Sequence, residues 1–137
     1  MRQEIFARIA AAIGEKVPEI QHIDLWNQNV SFIDQEEAWP RPAAFIEFLP
    51  IGWEPVTGRP AYKGKGRVQI HVVTDWVDKD SGPEAFRLSD KVAKCLAGLR
   101  GDYFYGFEMM TTYTNHNHED LVENIEEFSY RCQRSMD

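Results

Sequence analysis

The sequence predicts an α+β fold: a mostly antiparallel β-sheet of about four to five strands with two helices packed on one face, in the order α-β-β-β-α-β-β. Three observations carry this. Residues 67–76 alternate, with Val68, Ile70, Val72 and Trp76 on one side and Gln69, His71 and Asp75 on the other, the period of a strand covered on one face. Residues 83–100 repeat apolar side chains at helical spacing, and residues 2–13 do so again near the start. With 137 residues, the chain has the length of one domain with a single core, taken here as 1–137.

In chain order, the first helix places Ile5, Phe6, Ile9, Ala12 and Ile13 on one side and Glu4, Arg8 and Glu15 on the other. Gly14 is the expected C′ residue, and Pro18 forbids continuation. Residues 19–28 read as a strand alternating Ile23 and Leu25 against His22, Asp24 and Trp26. Pro40 and Pro42 then fix an extended entry to residues 43–49. That strand is apolar on both parities, broken only by Glu47, so its second face needs a cover, for which a neighbouring subunit is one candidate.

Residues 51–66 read as a long loop or arm, holding Gly52, Gly58, Gly64, Gly66, Pro55 and Pro60 with Trp53 and Tyr62 among them. From Arg59 to Arg67 there are four basic residues and no acid. The bland account is a mobile hairpin; the functional one is an arm that orders against another chain, since aromatics are enriched in interface cores. After the alternating strand, Ser81 with Glu84 has capping-box spacing, and Pro83 suits an early helical position. The helix at 83–100 buries Phe86, Leu88, Val92, Ala93, Leu96 and Leu99, and Gly101 ends it. Residues 102–114 are aromatic and β-branched enough for a strand. Residues 115–123 read as a polar connection, and residues 126–134 as a last strand with Phe128, Tyr130 and Cys132 facing in.

Composition narrows the function. A net charge of -7 argues against general affinity for nucleic acid, and residues 119–127 carry Glu119, Asp120, Glu123, Glu126 and Glu127 with no base. Cys95 and Cys132 are too few for a disulfide framework and read as buried hydrophobes. No apolar run reaches the ~20 residues of a membrane span, and the charged first residues do not make a signal, so a soluble cytoplasmic protein is expected. Gly64-Lys65-Gly66 fails as a phosphate loop: Arg59 stands where the first glycine belongs, and Gly66 where Ser or Thr follows the lysine. His71 and Asp75 share a strand face, but no nucleophile accompanies them.

The order of elements, with Pro42-Ala43-Ala44-Phe45-Ile46-Glu47-Phe48, the Gly/Pro stretch, and Gly66-Arg67-Val68-Gln69-Ile70-His71-Val72-Val73-Thr74 before an amphipathic helix, resembles the tail-completion proteins of long-tailed bacteriophages and prophages. These are the tail terminator, or head–tail joining, proteins. The resemblance implies a homo-oligomeric ring, commonly a hexamer, that caps the tail tube and offers the docking face for the head. It implies partners in tail-tube and head-connector proteins, assembly in the host cytoplasm, a final place in the virion tail, and no catalytic residue or cofactor. By the same analogy Trp53, Tyr62, Lys63, Lys65 and Arg67 are the expected contacts.

A second reading competes. His116, His118 and Asp120, with His71 in support, could hold a divalent ion in a small metal-dependent enzyme or ligand-binding domain, because imidazole and carboxylate are good zinc or nickel ligands. The plain alternative there is a polar hairpin loop. A third reading, nucleic-acid binding through residues 59–67, predicts affinity that falls steeply with salt.

Overall fold

In a computed structural model, residues 1–27, 39–115 and 120–137 are described. The elements are α1 (Arg2–Lys16), β1 (His22–Leu25), β2 (Ala43–Phe48), β3 (Gly52–Pro55), β4 (Ala61–Asp75), α2 (Ser81–Leu96), β5 (Phe104–Asn115) and β6 (Leu121–Ser135). They form one six-stranded sheet in the order β1-β2-β4-β6-β5, with β3 pairing beside β2 on β4. The α+β class and the helix positions are those the sequence predicts. The sheet gains a strand, β3, and β1 runs parallel to β2 while the other pairs are antiparallel.

The central fact is the ladder between β4 and β6, paired without a shift from Ala61↔Ser135 to Asp75↔Leu121. It sorts side chains by parity. Val68, Ile70 and Val72 join Phe128, Tyr130 and Cys132 on the face that receives Ile5, Ile9 and Ile13 of α1 and Leu88, Val92 and Leu96 of α2. Both helices therefore lie on this face and touch each other. Glu4 ties α1 to the start of β5, accepting hydrogen bonds from the Asp102 and Tyr103 backbone N–H groups at 2.9 and 3.0 Å.

Several boundaries differ from the sequence reading, each for a local reason. The segment expected as a long loop is a β-hairpin: Gly52–Pro55 pairs with Tyr62–Lys65, and the turn uses Gly58 at φ 75°. Two of its glycines, Gly64 and Gly66, are packing residues. A Cβ on Gly64 would lie 2.8 Å from Trp53, and one on Gly66 would lie 2.5 Å from Tyr130. Helix α1 runs through Gly14 to Lys16, with Val17 closing it on the Ile13 carbonyl. Helix α2 starts at Ser81, whose hydroxyl oxygen accepts from the Val77 and Asp78 N–H groups in place of the expected capping box. It stops at Leu96 because Gly98 takes φ 79°, three residues before the expected Gly101. Phe86 and Trp76, expected in the core, are half-exposed. The supposed polar connection at 115–123 ends early, since β6 begins at Leu121.

The second face of β2 is covered by the chain itself. Ala43 and Phe45 pack with Val73, Leu121 and Trp39, and Trp26 closes on the same cluster. No subunit is needed there.

The glycine argument predicts a contrast. Gly66→Ala should destabilise the fold by about 1–3 kcal/mol, because the new methyl meets the Tyr130 ring in a filled core. Gly52→Ala, which meets nothing within 4 Å, should stay within about 0.5 kcal/mol of the parent in urea unfolding.

Candidate functional site

Of the histidine cluster, His116 and His118 lie outside the described residues. Asp120 is exposed, and its carbonyl accepts from the Trp76 N–H at 2.9 Å. Among the described residues no group of three or more His, Cys, Asp or Glu side chains is arranged to hold a metal ion. His71 does not couple to Asp75, which instead pairs with Arg41. Its Nδ1 lies 2.5 Å from Glu123 and its Nε2 2.8 Å from Glu47, with the Trp26 indole stacked on the ring at 3.9 Å. Two carboxylates on one imidazole are satisfied when both ring nitrogens carry protons, or when a carboxyl donates to the neutral ring. Either way the ring is held at both nitrogens, and the cluster ties β2, β4 and β6 across the sheet.

A second buried carboxylate, Glu126, lies on the helix face. It accepts from Ser89 of α2 at 3.0 Å and from Thr112 of β5 at 2.5 Å. Burial raises its pKa despite those two donors. Tyr130, also buried, is pushed up to about 12 by desolvation.

The five expected contact residues divide by strand parity. Trp53 is half-buried on the helix face against Gly64, with the Arg134 guanidinium 4.8 Å over its ring. Tyr62 is exposed one pair further out, opposite Pro55 and Arg134. Lys63, Lys65 and Arg67 point to the opposite face of the sheet and are exposed. There the register adds two residues that sequence reasoning missed. Arg131 of β6 stands directly opposite Lys65, and Tyr105 of β5 directly opposite Arg131. The row Lys65–Arg131–Tyr105 floors an open cleft of about 580 Å³, walled by Pro50, Arg67, Glu108 and Ser129. Arg67 is 3.5 Å from Glu127, and Lys63 stands opposite Glu54. Like charges facing each other across a ladder destabilise it, so Lys65 and Arg131 concentrate positive charge at a cost to the fold.

Next to the cleft, β5 forms a long sheet edge. Tyr105, Met109, Met110 and Tyr113 are exposed along it, and Glu108 is its one charged residue. Two register shifts and Gly106 at φ 68° bend it.

No family model and no curated protein matches the sequence. Among solved structures, the fold is similar to a chain in the virion of a native gene transfer agent particle, with a TM-score of 0.55 and 14% identity over 92% of this chain and 84% of that one. At this identity the likeness shows a shared fold.

Two outcomes follow from the buried carboxylates. Deleting one end of the His71 cluster, Glu123→Leu, should cost about 3–5 kcal/mol, and adding His71→Leu should cost less than the sum of the two single changes. A double-mutant cycle in urea measures this. For Glu126, a raised native pKa means that the folded state binds the proton more tightly than the unfolded chain. Stability is therefore fully present at acid pH and declines as pH rises above the ordinary carboxylate value of 4.5. Glu126→Gln should remove that decline, so its melting temperature relative to the parent should be highest near neutral pH and lose its advantage near pH 4.

Proposed function

We propose that this chain is a non-enzymatic structural protein of a phage-like virion, working as a homo-oligomeric ring that completes the tail tube and joins it to the head. The observation that carries the proposal is the fold shared with a virion chain across nearly the whole length of both. The resemblance of the strand and helix order to tail-completion proteins points the same way. Among the described residues no helix is long and apolar enough to cross a membrane.

The surfaces support such a role. Both helices lie on one sheet face, which leaves the cationic end of the other face and the β5 edge for protein contacts. Lys63, Lys65 and Arg67 line the cationic end, with Tyr62 and Trp53 at the adjoining hairpin, and these remain the proposed contacts to neighbours in the ring or to tail-tube and head-connector proteins. In that life cycle the chain assembles in the host cytoplasm and ends in the virion tail.

Purified protein should elute as a discrete oligomer by size exclusion with light scattering, and negative-stain images should show rings with a central opening. Deletion of its gene should leave particles with unfinished or unjoined tails. A strict monomer at every concentration, together with normal tails after deletion, would remove the proposal.

A further inference from the structure

We propose that copies of this chain join head to tail, with the Trp76–Asp80 corner of one protomer seated in the Lys65–Arg131–Tyr105 cleft of the next. The inference deepens the ring reading and rests on it, because it names the two surfaces that such a ring would bring together.

A closed ring needs two different patches on each protomer, complementary to each other and facing different ways. Strand β4 supplies them at its two ends. Lys65 lies near its start and Asp75 at its finish, ten residues and so roughly 33 Å apart along an extended strand. At the far end the chain leaves the sheet through Trp76 and Val77, which are 48% and 79% exposed. The Trp76 ring leans on the first turn of α2, where a Cβ on Gly82 would come within 3.2 Å of it. Val77 is the most exposed of the large apolar side chains among the described residues. An exposed apolar pair at a strand end has the form of an interface anchor.

Charge selects where that anchor docks. Around it stand Asp78, Asp80 and Asp120, all exposed, with Lys79 subtracting from them; Asp75 is already engaged by Arg41, and Glu84 by Arg87. Asp78 also accepts the Asp80 N–H and the Ser81 hydroxyl, which fixes the corner's shape while leaving its charge. In a chain of net charge -7, copies repel one another unless an acidic surface meets a local excess of cations. The cleft provides that excess. Lys65 and Arg131 face each other there, beside the exposed Tyr105 ring and Pro50. Two of the three cations of α2 are less available, since Arg87 and Lys91 are held by Glu84 and Glu19.

The test is a charge swap on the full chain, read by sedimentation velocity. Lys65→Glu with Arg131→Glu should weaken self-association at least tenfold, and so should Val77→Lys with Asp80→Lys. A one-to-one mixture of the two variants should recover an assembly of the parental size, because each broken surface finds its complement. Raising the salt concentration should weaken the parental assembly. The inference is overturned if either variant assembles like the parent, or if the mixture stays dissociated while both variants keep the parental circular dichroism and melting temperature. Should a double variant melt early, the single changes Lys65→Glu and Val77→Lys carry the same comparison. If the parent associates and the variants do too, only this inference falls. A parent monomeric at every concentration removes this inference and, together with normal tails after deletion, the ring reading itself.

Discussion

The ladder between β4 and β6 is the constraint on which the rest of the structure depends. Fifteen residues of Ala61–Asp75 run against fifteen of Leu121–Ser135 with no slip. A slip of β6 by one residue would turn Phe128, Tyr130 and Cys132 away from both helices while Val68, Ile70 and Val72 of β4 stayed, so the apolar pattern holds the register. The glycines serve the same ladder. A Cβ at Gly64 or Gly66 would come within 3 Å of the Trp53 or Tyr130 ring, so any larger residue would force those rings to shift. The hairpin, the helix seats and the cationic row all inherit their positions from this one pairing.

That dependence explains which parts could be read in the sequence. The alternation in 67–76 and 128–132 is plain because one parity is apolar, and the two helices are plain because their stripes are unbroken. The first half of β6 is hidden. Glu123 reads as the end of a polar connection and Glu127 as an outward-facing strand residue, yet Glu123, Asn124, Glu126 and Glu127 are all buried. Their partners come from far along the chain: His71 for Glu123, Ser89 for Glu126 and Gln69 for Glu127. Polarity alone reports solvent only where no distant donor exists, and the sequence does not display the donors. The hairpin at 52–65 was obscured differently, since glycine and proline in a run normally punctuate loops. Here Gly58 makes the turn and Gly64 is a site of close packing.

The candidate surface was half legible for the same reason. Lys63, Lys65 and Arg67 are conspicuous because no acid interrupts them. Arg131 and Tyr105 become their neighbours only through the register of three strands. Trp76 was misplaced because alternation was carried one residue past the end of the strand at Asp75. Parity holds only while the ladder lasts, and there the chain turns towards α2.

His71, Cys95, Cys132 and Glu126 are already engaged or muted. His71 has a carboxylate at each ring nitrogen and an indole over its face, which leaves neither nitrogen free to accept or deliver a proton outside the cluster. Burial raises the pKa of both Cys95 and Cys132, so their thiols stay protonated and weakly nucleophilic. Glu126 is likewise turned inward, to Ser89 and Thr112. These groups hold strands and helices together. What the fold leaves open is of another kind: an edge strand with one charge, a cationic cleft, and an apolar corner among carboxylates at the opposite end of β4. Buried polar groups thus serve internal cohesion, while apolar and charged ones are presented at the ends of β4 and along the β5 edge. The His71 cluster supplies internal rigidity, linking β2 to β4 and β6 at the centre of the sheet.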